Sequence, residues 1–204
     1  MHIALFGATG GTGRHVVEQA LAQGHQITAL VRDPSKLSPQ TGLTVIEGDV
    51  LNPEPVAQCM TGAEAVICIL GSHGKGTPVE ARGTQHIIAA MQAQGLRRLI
   101  AVTSLGVGDS RSQIPWLLRV IMDLTLKAIL AAKDEQERLI RASGLEWTII
   151  RPGGLTDQPA TGQYRSGTDR LLKGGRIARA DVADFVLRQL TSTEYLQQTP
   201  VVID

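Results

Sequence analysis

Aromatic side chains are scarce in this 204-residue chain, where phenylalanine, tyrosine and tryptophan together make up 3% of the sequence. A surface that stacks nucleic-acid bases needs such rings, so their scarcity argues against a single-strand nucleic-acid binder. An excess of one charge is lacking too, since 20 Lys and Arg stand against 19 Asp and Glu. No strong field therefore draws the chain to phosphate backbones or anionic lipid. We expect no nucleic-acid and no membrane partner, and we expect local groups to hold any anionic ligand.

Cysteine is nearly absent as well: Cys59 and Cys68 are the two, and their spacing matches no disulfide or metal motif. Cys68 lies in an apolar run, where a thiol packs as a small hydrophobe. The five histidines (positions 2, 15, 25, 73 and 86) form no ligand cluster, so we expect no metal. The chain shows neither a signal peptide nor an apolar run of about 18 residues. We therefore expect a soluble, cytoplasmic protein that works as a monomer.

Strand and helix patterns alternate along the whole chain. Short runs rich in β-branched residues predict strands at 2–6, 26–31, 43–47, 65–70, 98–103, 145–151 and 201–203. Stretches between them predict helices at about 12–23, after Pro53, and at about 78–94, 115–142 and 180–190.

Strands joined by helices predict an α/β fold: one Rossmann-type domain over residues 1–204, a doubly wound parallel sheet with helices on both faces. The polar segment 153–175 is expected to be a loop that bounds a substrate cleft. The methionine and leucines of 117–130 are expected in the core.

The most informative motif is Gly7-Ala8-Thr9-Gly10-Gly11-Thr12-Gly13, which follows the first strand and opens the first helix. Its glycines permit a tight turn, a close approach of the backbone to a pyrophosphate, and close packing of helix on strand. The helix N-terminus adds free N–H groups and the positive end of its dipole. In this position the motif predicts a dinucleotide site; the alternative is a tight turn without a ligand.

The end of the second strand indicates which dinucleotide is bound. An NAD site usually has an acidic residue about 20 positions after the glycines, where it binds the ribose hydroxyls. Here Arg32 ends the strand and Lys36 follows, and two cations suit the 2′-phosphate of NADPH (NADP+). Asp33 keeps NAD as an alternative, and the two cations are otherwise ordinary surface charges. We favour NADPH.

Two later segments are predicted at the same edge of the sheet. Asp49 follows the third strand, where its carboxylate is placed either to accept from an adenine amino group or to stabilise a turn. Leu70-Gly71-Ser72 ends the fourth strand at the carboxyl edge, where doubly wound sheets bind ligands. Gly71 would let the backbone pass close to a cofactor ribose.

Several motifs together resemble the atypical short-chain dehydrogenase/reductases: residues 7–13, Val31-Arg32-Asp33, Gly48-Asp49-Val50, Thr103-Ser104, Ser143-Gly144-Leu145 and Arg151-Pro152-Gly153. Within that group the chain is most similar to the biliverdin IX-beta reductase/flavin reductase family. The stretch Asp157-Gln158-Pro159-Ala160-Thr161-Gly162-x-Tyr164 is the most specific part of the likeness, which spans almost the whole chain.

The resemblance implies hydride transfer from NADPH to a small-molecule acceptor, either a flavin such as FMN or riboflavin or a linear tetrapyrrole such as biliverdin. It implies that the dinucleotide is held by residues of the glycine turn and of the strand ends that follow. These are Gly7, Thr9, Gly10, Gly11, Thr12, Gly13, Arg32, Ser35, Lys36, Asp49, Val50, Leu70, Gly71, Ser72, Pro152 and Gly153.

Ser104 and Lys133 are the candidate catalytic residues. Ser104 matches the serine that the family places beside the nicotinamide, and we predict that it positions the substrate; the alternative is a strand-end serine bonded to its own backbone. Lys133 is a candidate to bond the cofactor ribose or a substrate carboxylate; the alternative is a solvated helix lysine. Short-chain dehydrogenases place a tyrosine four residues before this lysine, and Ile129 stands there. The missing tyrosine disfavours alcohol oxidation and simple ketone reduction.

The substrate is expected beside Ser104, Arg111, Gly154 and Arg170, where the arginines, together with Arg176, would receive carboxylate or phosphate groups. The alternative for each arginine is an ordinary surface charge. Gly154 and Lys133 stand where the family's mammalian enzyme has histidines, so the roles of those histidines do not carry over. Two alternatives stay open: a non-catalytic NADP-sensing regulator, and a sugar-nucleotide epimerase-like enzyme.

Overall fold

A computed structural model describes residues 1–72 and 78–204, and only the backbone of residues 118 and 123. The strands of the described residues are β1 (His2–Phe6), β2 (Gln26–Val31), β3 (Leu43–Glu47), β4 (Ala65–Cys68), β5 (Arg98–Val102), β6 (Glu146–Pro152), β7 (Gly154–Thr156), β8 (Arg165–Gly167), β9 (Arg176–Ala178) and β10 (Val201–Ile203). Their α-helices are α1 (Gly11–Ala22), α2 (Pro53–Cys59), α3 (Glu80–Gln94), α4 (Trp116–Thr125), α5 (Lys127–Ala142) and α6 (Arg179–Arg188). Each strand and helix predicted from the sequence is present with ends that differ by a few residues, except that the predicted helical region 115–142 forms two helices.

Eight strands form the central sheet in the order β3-β2-β1-β4-β5-β6-β10-β8. All neighbouring pairs are parallel except β10 and β8, which are antiparallel. The strand order reverses at β1, whose neighbours are β2 and β4. At such a point the two outgoing connections leave on opposite faces and open a crevice beyond the carboxyl ends of the strands. The expected Rossmann-type architecture is confirmed.

The alternation of side chains along β1 divides the core into two layers. Ile3 and Leu5 point to one face, where α1 and α6 pack. Ala4 and Phe6 point to the other, against α2, α3 and α5. Ile3, Leu5 and Phe6 are completely buried, and each such side chain contributes roughly 1.5–3 kcal/mol of hydrophobic stabilisation. This double burial fixes β1, and with it the glycine turn that follows.

The predicted helix 115–142 is wrong in one respect, because the structure has two helices there. Leu126 separates α4 from α5 with φ −125° and ψ 15°, outside helical geometry. The break carries neither proline nor glycine, and the Thr125 hydroxyl donates to the Ile121 carbonyl at 2.8 Å just before it. No local residue pattern marks this interruption.

The expectation that the methionine and leucines of 117–130 lie in the core is wrong for Leu117, Leu124 and Leu126, which are exposed, and right for Leu130, which is buried. Five apolar side chains of α4 are exposed, by 47% to 81%: Trp116, Leu117, Val120, Ile121 and Leu124. Met122 alone of the described side chains in α4 packs on a small cluster with Leu105 and Ile114. The helix is amphipathic and its apolar face points outward. An exposed apolar face of this kind is typical of interfaces as well as of free surfaces, so the expectation of a monomer stays a prediction.

The segment 153–175 is more structured than a loop. It contains β7, which pairs in parallel with β9 through Gly154 and Arg176, and β8, which adds the antiparallel edge strand to the main sheet. Three-residue strands give too short an alternation to be recognised in the sequence, and their pairing partners lie more than twenty residues away.

Cys59 and Cys68 are buried free thiols, and burial had been predicted for Cys68. Burial raises the pKa of Cys59 to about 12 and also raises the pKa of Cys68, which makes both thiols unreactive at neutral pH. Over residues 1–72 and 78–204 no three His, Cys, Asp or Glu side chains come together as a metal site; His73 lies outside these residues. Among the described helices none has the length and apolarity to cross a bilayer.

Candidate functional site

A cavity of about 580 Å³ opens at the carboxyl edge of the sheet, over the reversal of strand order. It takes its lining from strand ends and from the glycine turn. Of the predicted site residues, those that line it are Gly7, Thr9, Gly10, Gly11, Thr12, Gly13, Arg32, Lys36, Asp49, Val50, Leu70, Gly71 and Lys133. Residues far apart in the sequence thus meet at one site, in the size range of small-molecule pockets.

The glycine turn has the geometry of a phosphate cradle. Gly7 has φ +97°, which a residue with a side chain adopts only with strain, and a Cβ there would meet the Ile69 carbonyl oxygen. A Cβ on Gly13 would meet the Gly7 carbonyl oxygen. The first approach packs the turn against the chain just after β4, and the second packs the first turn of α1 against the end of β1. The first N–H groups of a helix have no partner within the helix and are available to an anion. A pyrophosphate fits this arrangement.

The cations predicted for a 2′-phosphate lie at one end of the cavity. Arg32 and Lys36 both line it and both are exposed. Asp33, the candidate for NAD, accepts hydrogen bonds from the Ser35 N–H at 3.1 Å and the Ser35 hydroxyl at 2.6 Å. The hydroxyl bond lowers the pKa of Asp33, which also lies 3.8 Å from the Lys36 ammonium. Asp33 and Ser35 therefore shape the short turn that presents Lys36, and neither lines the cavity.

Asp49 serves a turn and lines the cavity at once. Its Oδ1 accepts from the Leu51 N–H at 2.9 Å, the turn role that the sequence left open. The next residue, Val50, is buried, and its carbonyl oxygen accepts a hydrogen bond from His86 Nδ1 at 3.0 Å, which ties this turn to α3. The adenine end of the predicted site is thus held by both a local turn and a helix.

Of the three site residues predicted at the end of β4, two line the cavity and one does not. Leu70 and Gly71 line the cavity, whereas Ser72 turns away from it. The Ser72 N–H and hydroxyl both donate to the carboxylate of Glu80, at 2.8 and 2.7 Å, and Glu80 is completely buried. Ser72 therefore stabilises the start of α3.

Lys133 is the buried cation of the cavity. Its side chain projects from α5, its exposure is 9%, and its Nζ donates to the Leu70 carbonyl oxygen at 3.2 Å. Burial lowers the pKa of the Lys133 ammonium, while the nearby Glu80 and Glu137 carboxylates act to raise it. The solvated-lysine alternative is wrong. Ile129 lies one turn earlier on the same helix, so this position of the helix carries no phenol.

The end of β5 offers a threonine where the sequence pointed to a serine. Thr103 lines the cavity, and its hydroxyl donates to Glu137 Oε1 at 2.8 Å. The Ser104 hydroxyl donates to the Leu105 carbonyl oxygen at 3.2 Å, and Ser104 is not among the lining residues. The backbone-bonded alternative for Ser104 is therefore what the structure has.

The remaining predicted residues lie outside the cavity. Pro152 and Gly153 are buried: the Pro152 carbonyl accepts from Leu105 N–H at 2.9 Å, and the Gly153 N–H donates to Val202 at 3.0 Å. Gly154 pairs with Arg176 in the small sheet. Arg170 donates to Asp109 at 3.1 Å, and Arg111 lies in the 3-10 turn Gly108–Gln113. The structure does not bring these residues together with the glycine turn.

Sequence reasoning missed a group of lining residues on the far wall. Leu155, Asp157 and Arg179 line the cavity, and Arg179 donates to Asp157 Oδ1 at 2.7 Å. A signal was present, because Asp157 opens the most specific stretch of the family likeness and Arg179 stands at the start of a helix. Nothing local in the sequence indicates that Arg179 reaches the glycine turn.

The comparisons with known proteins agree with this geometry. A family described as NAD(P)H-binding matches residues 7–193. An uncharacterized chloroplastic protein of Arabidopsis thaliana is 34% identical over 92% of this chain and 71% of its own length. A Bacillus subtilis protein named as the uncharacterized sugar epimerase YhfK is 33% identical over 93% of this chain and 88% of its own. Among solved structures, ChuY, an anaerobillin reductase from Escherichia coli O157:H7, superposes with a TM-score of 0.85 at 28% identity, covering 100% of this chain and 97% of that one.

Proposed function

Because the chain belongs to the NAD(P)H-binding family, we propose that it is a reductase that takes NADPH and transfers hydride to a flavin or a linear tetrapyrrole. One observation carries this proposal. The cavity has two cations at its outer end, a phosphate cradle in its middle and a buried lysine without a tyrosine at its inner end.

The preference for NADPH over NADH rests on the outer end. Arg32 and Lys36 supply the positive charge that a 2′-phosphate requires, and a guanidinium can bind a phosphate through two hydrogen bonds. Asp33, which would have to receive ribose hydroxyls in an NAD site, is bonded to Ser35 instead. NADPH therefore gains contacts here that NADH lacks.

The choice of acceptor rests on the inner end. Reduction of a ketone needs a proton at the oxygen in step with the hydride, and Ile129 cannot supply it. A flavin or a bilin is a conjugated acceptor that can take its proton from water, so the missing phenol is no obstacle. The structural likeness to ChuY, named as an anaerobillin reductase, supports a bilin-type acceptor.

The chain's own residues would contribute position and charge. The bound nicotinamide supplies the hydride, as in other reductases of this kind. The Lys133 ammonium has three N–H donors, and one of them is hydrogen-bonded to the Leu70 carbonyl oxygen. The others would donate to a ribose hydroxyl or to an acceptor oxygen. Thr103 is fixed by Glu137 beside it. Together they hold the reacting groups in place.

The test is an acceptor screen. The protein is mixed with NADPH and with FMN, riboflavin or biliverdin in turn, and the loss of reduced-nicotinamide absorbance is followed against protein-free mixtures and against NADH. We expect turnover with at least one acceptor and a higher rate with NADPH. Lys133→Met should slow it strongly, whereas the exposed Lys127→Met on the same helix should leave the rate unchanged.

Two other results would replace the proposal. NADPH binding without turnover of any acceptor would make the chain a dinucleotide-sensing regulator. Conversion of a sugar nucleotide would agree with the name of the Bacillus subtilis relative and make it an epimerase. The missing tyrosine disfavours the second result, because epimerisation also moves a proton at a hydroxyl.

A further inference from the structure

An ion pair lies across the glycine turn at the mouth of the cavity. Arg179 Nη1 and Asp157 Oδ1 are 2.7 Å apart, and both residues line the cavity. The Cδ and Nε atoms of Arg179 would each lie 2.7 Å from a Cβ built on Gly11. The guanidinium stem therefore rests directly on the first residue of α1, where a pyrophosphate is expected to sit.

Arg179 is held there by the packing of α6 on α1. The Gln19 side chain of α1 donates to the Ala180 carbonyl oxygen at 2.9 Å, one residue after Arg179. Val182 and Val186 of α6 are completely buried in the same core layer as Val16 of α1. Because the backbone of residue 179 is fixed in this way, its cation stays beside the N-terminus of α1.

Asp157, in contrast, is loosely placed. Its side chain is 87% exposed, against 26% for Arg179. A few residues later the chain is anchored again: the buried Asp181 carboxylate accepts from the N–H groups of Thr161 and Gly162 at 2.9–3.1 Å. The stretch 157–160 is thus tied at one end by Asp181 and at the other by the pair with Arg179.

The charges decide what a pyrophosphate would do. Arg179 lies beside the positive end of the α1 dipole, and Asp157 supplies the negative charge that balances both. A pyrophosphate on the same helix N-terminus brings more negative charge, repels the Asp157 carboxylate and offers the guanidinium a two-point partner.

From this geometry we infer that Arg179 is a phosphate-binding residue of the coenzyme site, and that the coenzyme pyrophosphate competes with Asp157 for it. Coenzyme binding then breaks the ion pair that holds the stretch 157–160, which follows Leu155 on the cavity wall. The bound nucleotide thereby frees the side of the cavity where the acceptor is proposed to bind. The inference rests on the coenzyme-binding part of the proposed function and needs no turnover.

Calorimetric titration of NADP+ into four proteins tests it: wild type, Asp157→Asn, Arg179→Gln and the double variant. Asp157→Asn should tighten binding about threefold, because it removes the competitor, and Arg179→Gln should weaken it about tenfold. In the Arg179→Gln background, Asp157→Asn should tighten binding less than it does in the wild type, because the competition for Arg179 is gone and only the direct repulsion between carboxylate and pyrophosphate remains. Arg179→Lys should restore part of the affinity, which a purely structural role would not predict.

Two controls separate local from general effects. Asp169→Asn removes one exposed negative charge from the same segment, 153–175, at a residue that does not line the cavity, and it should leave NADP+ affinity unchanged. Adenosine 2′-monophosphate carries the 2′-phosphate but no pyrophosphate, so its affinity should be equal in all four proteins.

Three results would overturn the inference: equal weakening of both ligands by Arg179→Gln, no tightening by Asp157→Asn, or the same tightening by Asp169→Asn. Failure of the acceptor screen leaves this titration intact, because no acceptor is present. A wild-type protein that binds no NADP+ at all would refute the coenzyme preference and this inference together.

Discussion

The two ends of the cavity are built in different ways. At the coenzyme end, residues 7–13 and the turns after β2 and β3 place backbone groups and a few cations by local geometry. At the end where we propose the acceptor, the cavity is bordered by residues 103–113 and 153–178, of which Thr103, Leu155 and Asp157 line it. These segments are held by side chains that meet from distant parts of the chain. The shape of the coenzyme end therefore depends on the close backbone approaches that glycine permits, and the shape of the other end depends on ion pairs between side chains.

The acceptor end is organised by Arg151, whose side chain is almost completely buried. It donates to both oxygens of Glu137, at 2.9 and 2.5 Å, and to Asp109 at 2.6 Å. Asp109 in turn accepts from Arg170. Burial alone would raise the pKa of Asp109, but its bonds to Arg151 and Arg170 bring it below its ordinary value. The network joins Thr103 at the cavity to the outer segments.

Removing Glu137 should give the largest effect, on stability. Glu137→Ala leaves the buried Arg151 with an exposed partner only, and breaking a buried pair typically costs about 3–5 kcal/mol in the free energy of unfolding. Urea denaturation measures it. Glu135→Ala on the same helix, whose exposed carboxylate bonds Arg138, should change stability little. If both variants lose the same amount, the network does not hold the acceptor end.

Gly13→Ala should give the next largest effect, at the coenzyme end. The new methyl group would meet the Gly7 carbonyl, and overpacking of this kind costs about 1–3 kcal/mol of unfolding free energy. NADP+ affinity should fall as well, because the cradle opens. Gly154→Ala is the matched control, since a Cβ there has only ordinary contacts and lies outside the cavity. A Gly13→Ala protein with normal stability and normal affinity would contradict the role given to this close approach.

Arg32→Ala should change selectivity and leave stability alone. Loss of an exposed charge-assisted bond to the 2′-phosphate should weaken NADPH binding about tenfold and NADH binding less than about twofold. Arg97→Ala removes the same charge at the amino edge of the sheet, where Arg97 pairs with Glu146, and should affect neither nucleotide. Equal losses for both nucleotides would refute the 2′-phosphate assignment.

The same contrast explains what the sequence could predict. The coenzyme end follows from motifs that act locally: a glycine turn after a strand predicts a cradle, and cations at a strand end predict a phosphate. Thus Arg32, Lys36 and Asp49 were placed correctly at the cavity. Ser35 and Ser72 do not line the cavity, because Ser35 is hydrogen-bonded to Asp33 and Ser72 to Glu80.

The acceptor end depends on tertiary contacts with no local signal. Arg170 was predicted to receive a substrate, but it pairs with Asp109 sixty-one residues earlier. Arg179 was missed because its approach to Gly11 arises from the packing of α6 on α1. The strands β7, β8 and β9 are too short to show a period. The sequence therefore predicts the binding of the coenzyme but not the side chains around the proposed acceptor.

The smallest effect is expected for Ser104→Ala, and it tests the two descriptions of the acceptor end against each other. The family likeness predicts slower turnover with nearly normal dinucleotide affinity. The structure bonds the Ser104 hydroxyl to the Leu105 carbonyl at 3.2 Å, outside the cavity lining, so turnover should change by no more than about twofold, the value of one weak neutral hydrogen bond. Thr103→Val, which removes the bond to Glu137 at the cavity wall, should slow turnover more. Steady-state rates with the best acceptor decide: a large loss in Ser104→Ala beside a normal Thr103→Val would mean that Ser104 turns toward the nicotinamide when the site is filled.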